Sequence, residues 1–296
     1  QSMFNNPENE PRLYGNKISS DKNFSKISKG IFTTCKKREK CPPWKIRAEE
    51  VEHDKNKKII NYKNAWLKVY DFPIIYFPKF FHPDPTVERQ TGLLKPEFNN
   101  SNVLGSSITI PYFKVISENK DLTLTPTLFD SDTIMSTVEY RQKNKDSSIL
   151  ADFGFVNGYK SPTTKKKNSL SHYFLKYNSN LELENFNSSN FEMSIKKVSN
   201  DSYLNVFDQY ITRSNLRPSN FNNLTNHINL KLDHNNFNFE TGFQSFENLR
   251  IKNQSDRYQY VLPYYNFDRY ISKNLFNGNI SFNSSGNNVL DSTNKL

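Results

Sequence analysis

No run of 18 apolar residues occurs in the 296 residues of this chain, so no membrane-spanning helix is expected. The longest apolar stretch, around Phe72 to Phe81, is cut by Pro73, Pro78 and Lys79. Glycine is scarce, with nine in all, which leaves little for glycine-rich phosphate loops. The five histidines (His53, His82, His172, His227 and His234) are scattered, with His227 and His234 expected on adjacent strands. Neither H-x-x-x-H nor H-E-x-x-H is found, so nothing supports a metal centre. Only two cysteines are present, Cys35 and Cys41. Their spacing makes a poor zinc site, which wants four ligands. A local disulfide, implying an oxidising compartment, and a pair of free thiols are the two open readings. No basic start followed by an apolar centre marks a leader peptide at Gln1, and no aromatic strand closes the chain before Leu296. Both ends are therefore expected to be cuts in a longer polypeptide.

What is present is aromatic. Only 35% of the chain is hydrophobic, yet 14% is aromatic, with 24 Phe and 16 Tyr. The mean hydropathy is −0.79. Disordered chains are poor in aromatics. A transmembrane β-barrel, in which only alternate residues meet lipid, combines low hydropathy with many aromatics. An Asn- and Lys-rich soluble β protein does so too. The net charge is +10, and residues 1–100 hold 19 basic against 12 acidic side chains. Such an excess attracts phosphates or simply confers solubility. Basic residues interleaved with aromatics lie on opposite strand faces, so nucleic acid is not an expected partner.

Along the chain, residues 1–72 give short strand-like pieces without helix. Trp44, Ile46 and Ala48 share one face, as do Ala65, Leu67 and Val69, with Trp66 opposite. His53-Asp54-Lys55-Asn56 predicts a turn. Strand-turn-strand of this kind suggests a sandwich or jelly-roll layer. Residues 73–104 are proline-laced and predict an apolar connector rather than a central strand. From residue 105 to 296 the alternation is regular. Leu122, Leu124, Pro126 and Leu128 oppose Thr123, Thr125 and Thr127; Phe153 and Phe155 oppose Asp152 and Gly154; Tyr173, Leu175 and Tyr177 oppose His172 and Lys176. About ten strands of roughly ten residues suit a membrane-spanning barrel better than a sandwich. The expected fold class is thus all-β: the end of a β-jelly roll, then the first strands of a large antiparallel transmembrane barrel.

Two prolines fall inside expected strands. Pro111 lies within Ile108 to Ser117 and Pro126 within Leu122 to Phe129, the first two barrel strands. A mid-strand proline removes a ladder hydrogen bond. It marks either a seam that can open sideways or a mere kink at a strand end. Ser169, Ser171 and His172 hold the pieces of a rim hydrolase, with nothing in the sequence to fix their geometry.

The words CPPWKIRAEEVEHD, DFPIIYFPKFFHPDPTVERQTGLLKP and GSSITIPYF, and more thinly SNDSYLNVFDQY and RYQYVLPYYNFD, resemble the lipopolysaccharide (LPS) assembly family LptD (OstA/Imp), in its α-proteobacterial form. The resemblance implies a non-enzymatic outer-membrane translocon with no cofactor. It would receive LPS from the periplasmic bridge protein LptA and insert it into the outer leaflet through a lateral gate between the first and last strands. A lipoprotein, LptE, would plug the barrel. Pro111 and Pro126 match the family's gate prolines. Ile46, Ala48, Leu67 and Val69 would line the acyl groove or simply form core. Cys35 and Cys41 match cysteines near the end of the jelly roll, where pairing with each other is the simplest reading. The rivals are a passive porin-like channel and a barrel-rim acyl hydrolase.

Overall fold

Alternating sequence becomes antiparallel sheet throughout, as a period of two requires. The structure, a computed structural model, describes residues 12–34, 44–84, 87, 89–161, 167–251, 255–275 and 278–291. The expected disulfide pair Cys35 and Cys41 lies outside them. Two compact units form: Gln1–Lys95 with Pro111–Val115, and Pro96–Ile110 with Ile116–Leu296.

The first unit holds β1 (Arg12–Tyr14), β2 (Lys17–Ser20), β3 (Phe24–Ser28), β4 (Ile31–Thr33), β5 (Trp44–Asp54), β6 (Ile59–Val69), β7 (Phe72–Pro83) and β8 (Gly92–Leu93). The eleven-residue β5 takes β4 against its first half (Phe32 opposite Ile46) and β3 against its second (Ile27 opposite Val51). Its other edge pairs with β6, and β6 pairs with β7. Asp54 accepts the amides of Asn56 and Lys57 at 3.1 and 2.9 Å, which sets the β5–β6 turn one or two residues later than expected. Ile27, Phe32, Trp44, Val51, Ile60, Tyr62, Ala65 and Leu67 form the core. In β6 the buried positions change phase, from 60 and 62 to 65 and 67, across Asn64. That residue takes a left-handed backbone (φ 50°) and donates from Nδ2 to Glu49 at 2.6 Å.

Residues 73–83, expected as the start of a connector, instead belong to a twelve-residue strand that begins at Phe72. Among the described residues β7 pairs with β6 alone. Prolines are tolerated there because an edge strand needs only half of its backbone donors. No ladder pair forms at Pro78, which faces the kink at Asn64.

The second unit begins with a hairpin that was not expected, β9 (Glu97–Ser101) and β10 (Gly105–Thr109). The start of β11 (Tyr112–Ser117) belongs to the first unit, where Tyr112 and Phe113 pair with Leu93 and Gly92. A meander follows: β12 (Lys120–Phe129), β13 (Ile134–Lys143), β14 (Ser147–Lys160), β15 (Lys167–Asn180), β16 (Ser188–Val198), β17 (Asn223–His234), β18 (Phe237–Asn248), β19 (Tyr258–Leu275) and β20 (Gly278–Asp291). The strand order is β9-β10-β12, then each strand beside its successor to β20. His227 and His234, expected on adjacent strands, share β17.

On β12 to β16 one face is apolar yet exposed (Leu124, Leu128, Phe153, Phe155, Tyr173). The opposite face turns inward. Residues 199–222, between β16 and β17, fold onto it with a helical turn, α1 (Tyr203–Phe207), followed by a 3-10 turn at Asp208–Tyr210. Tyr203, Leu204, Phe207, Tyr210, Ile211 and Leu216 are buried there against Phe129, Met135, Val156, Phe174, Val198 and Leu224. These partners come from six strands in succession, so the sheet curls around the segment. Burying a large apolar side chain contributes about 1.5–3 kcal/mol, and this cluster is the main apolar store of the unit.

Candidate functional site

The seam between β10 and β12 is built from few rungs. Only three residue pairs join the strands, Ser107–Phe129, Ile108–Leu128 and Thr109–Thr127, whereas nine join β12 to β13. The next rung is Ile110 opposite Pro126. The Ile110 amide donates to the Pro126 carbonyl at 3.1 Å. In an antiparallel ladder such a pair exchanges two bonds. Here the second cannot form, because Pro126 has no N–H. One net backbone bond, about 1 kcal/mol, is lost at that point. The strand then stops. Ile110 and Pro111 are outside any strand, so the expected continuous strand from Ile108 to Ser117 is broken in two. The Pro111 carbonyl accepts the Leu94 amide at 2.8 Å within the first unit. Pro126, by contrast, remains inside β12, paired with Ser136 on its other side. Because β9 precedes them, the two prolines follow the second strand and occupy the third in the pairing order, not the first two.

The two faces of the seam differ. Outward, Leu124, Pro126 and Leu128 stand in a row on β12, with Ile108 and Ile110 opposite. Inward, Thr109 and Thr127 share a buried hydroxyl–hydroxyl bond of 2.8 Å. Behind them, Ser107 donates to the Tyr210 hydroxyl at 3.3 Å, and the Tyr210 ring meets Phe129 edge-on at 5.0 Å. Arg213 donates to Glu97 on β9 at 2.5 Å. The segment 199–222 thus touches all three strands of the seam from inside.

Its other end is fixed by a polar cluster. His172 on β15 is fully buried, with Nδ1 2.7 Å from the Tyr203 hydroxyl and Nε2 3.4 Å from Asp152 on β14. Gly154 makes room for this: a Cβ there would stand 2.3 Å from His172 Cε1 and 3.0 Å from Tyr203 Oη. Asp201 pairs with Arg257 at 2.7 Å, and Arg257 also holds the buried Glu247 at 2.6 Å. The hydrolase constellation does not assemble. Ser171 is the neighbour of His172 in the strand and so projects from the other face. Ser169 donates to Asn157 at 3.3 Å.

Further along the sheet the inner wall is polar. A cavity of about 530 Å³ is lined by Lys231, Asp233, Glu240, Asn266, Asp268 and Asn283 among others. In the first unit, Ala48 and Leu67 are buried in the core, whereas Ile46 and Val69 are half-buried. Those two keep apolar surface accessible.

No protein-family model matches the chain. It is 28% identical over 176 residues to the LPS-assembly protein LptD of Idiomarina loihiensis, covering 60% of this chain and 22% of that protein. It is 30% identical over 153 residues to LptD of Nitrosomonas europaea, covering 51% and 21%. To LptD of Aeromonas salmonicida it is 36% identical over 105 residues, covering 34% and 13%. Among solved structures, Pseudomonas aeruginosa OccK2 (OpdF) in complex with glucuronate aligns over 92% of this chain and 74% of its own, at 9% identity and a TM-score of 0.31. A BenF-like porin from Pseudomonas fluorescens Pf-5 aligns at 7% identity and a TM-score of 0.30, over 92% and 71%. Likeness at that level carries no argument. The matched stretch spans about a fifth or less of the curated relatives' length. Over that stretch the chain is similar to a set of relatives that share one name, LPS-assembly protein LptD.

Proposed function

We propose that this chain serves LPS assembly at the outer membrane, as a translocon element that takes LPS in the periplasm and releases it sideways into the outer leaflet. The observation that carries this reading is the single-bonded rung at Ile110 and Pro126 beside the interruption between β10 and β11 at Pro111. A seam of three rungs that ends on a proline, where the edge of β12 passes from β10 to β11, resists parting less than the nine-rung ladder of β12 with β13. Its outward row of Leu124, Pro126 and Leu128 suits acyl chains, and the inner polar wall suits sugars and phosphates.

On this reading the first unit lies in the periplasm. Ile46 and Val69, half-buried, are its acyl contacts, and Ala48 and Leu67 support them from the core. LptA is the donor and LptE a partner of the barrel. Energy comes from upstream export, so no catalytic residue is assigned. The passive porin-like channel has one observation in its favour, the polar cavity along β16 to β20.

Photo-crosslinking in cells separates the two, with probes at Ile46, Val69, Ile110 and Leu124 of the complete protein. Export-dependent LPS adducts at both the first-unit and seam positions are expected. A correctly inserted protein without any adduct would reduce the chain to a pore.

A further inference from the structure

We propose that the outward face of β5 to β7 in the first unit is a docking surface for an anionic phospholipid bilayer. The face presents large aromatics that a soluble domain would bury. Trp66 is 41% exposed, Tyr76 44% and Ile74 46%. Trp66 and Tyr76 are cross-strand partners, with ring centroids 5.0 Å apart, and Ile74 stands two residues before Tyr76.

Cations flank this row. Arg47 is exposed and sits directly across from Trp66. Lys68, two residues beyond Trp66, pairs across the sheet with Lys45. The neighbouring carboxylate, Asp71, lies 2.6 Å from Lys45. Exposed Glu49 accepts from Asn64 at 2.6 Å, and Asn64 accepts the Tyr76 hydroxyl at 2.9 Å, while Glu50 and Glu52 are further along β5, level with Lys63 and Asn61. Lys45, Arg47 and Lys68 against Asp71 and Glu49 leave this aromatic end of the face with a net positive charge.

This combination fits headgroup depth. Tryptophan and tyrosine place an apolar ring beside a polar tip, and arginine and lysine reach phosphates while their stems lie on apolar surface. Anionic lipid attracts such clusters. A protein strand added to the edge of β7 is a poorer occupant, because Pro73, Pro78 and Pro83 offer it no donors. The inference draws on the outer-membrane reading for the presence of a bilayer, but its test needs no LPS.

The chain has two tryptophans, Trp66 on this face and Trp44 in the core at 5% exposure, so all tryptophan emission comes from the first unit. The Trp44→Phe chain is reconstituted in vesicles of phosphatidylglycerol and phosphatidylcholine, brominated at shallow or deep acyl positions. Trp66 emission should shift to the blue and fall at least about twofold with shallow bromines, and less with deep ones. Replacing Arg47 and Lys68 with Glu should remove most of that quenching. Should Trp44→Phe fail to fold, the wild type minus Trp66→Phe gives the same quantity by difference. Emission at the wavelength of a water-exposed indole, unquenched by either lipid, would overturn the proposal. So would quenching that is indifferent to Arg47 and Lys68. Failure here leaves the LPS crosslinks standing, and their failure leaves this surface standing.

Discussion

Acidification should destabilise the first unit through one residue, His82. It is buried on β7 with its ring 4.6 Å from Phe32. Nδ1 lies 2.6 Å from the Pro83 carbonyl, which can only accept, so Nδ1 carries the proton. Nε2 must then accept from the Tyr62 hydroxyl at 2.7 Å. Burial pushes the His82 pKa down to about 4, against the opposing pull of the Pro83 carbonyl and Asp84. Burial likewise raises the Tyr62 hydroxyl well above its usual range, so it stays a donor. The unfolded chain takes up the proton near pH 6.5, whereas the folded one resists until about 4. Stability is therefore full above pH 6.5, falls as the pH drops, and has lost about 3 kcal/mol by pH 4. At pH 5 the loss should be about 2 kcal/mol. The assay is urea unfolding followed by Trp44 fluorescence in a Trp66→Phe background, at pH 7, 5 and 4, with and without His82→Phe. The substitution leaves Tyr62 without its acceptor, a cost that does not vary with pH. It also removes the titration, so the stability difference between the two chains should move by about 3 kcal/mol toward His82→Phe on acidification. A difference that stays constant from pH 7 to 4 would refute the reasoning.

Pro126→Ala restores the missing donor opposite Ile110; it should add about 1 kcal/mol to that rung and slow exchange of seam amides roughly fivefold by mass spectrometry. In cells, giving both position 111 and position 126 a donor should lower LPS delivery to the surface, and unchanged delivery would count against the gate. Gly154→Ala drives a Cβ into His172 and Tyr203 and should destabilise residues 199–222 by about 1–3 kcal/mol, read as new protease cleavage in that segment. Tyr210→Ala leaves a cavity behind the seam; a cost of about 3 kcal/mol or more is expected, with faster exchange in β9 and β10 but not in β19.

How much was legible depended on whether alternation ran unbroken. On β12 the pattern is strict, and the threonines opposite Leu122, Leu124 and Leu128 lie on the inner face as expected. On β6 it breaks at Asn64, yet the apolar residues at 60, 62, 65 and 67 already carry the phase change. β7 was misjudged because prolines exclude a central strand but not an edge one. β9, with the sequence EFNNS, has too little apolar content to stand out. The largest omission was residues 199–222. Tyr203, Leu204, Phe207, Tyr210 and Ile211 repeat at helical spacing, a signal that differs from the period of two around it. It spans barely two turns, and only packing against six strands makes it significant. The environment of His172 was legible as a polar face. That its partners are Asp152 and Tyr203, not a serine, required the register of β14 on β15 and the path of a distant loop.

That loop also bears on the order in which the chain can fold. Ser107 and Tyr210 are separated by 103 residues, and Glu97 and Arg213 by 116. The hairpin β9–β10 therefore cannot be secured from inside until the chain beyond residue 213 is present and the loop it closes has been paid for in entropy. Until then its three rungs to β12, the Ile110–Pro126 bond and the Ser106–Asp130 bonds hold it from one side only. Partners that capture nascent strands would meet this hairpin as a late-docking edge, whereas β12 to β16 can zip up in sequence, each strand on the one before.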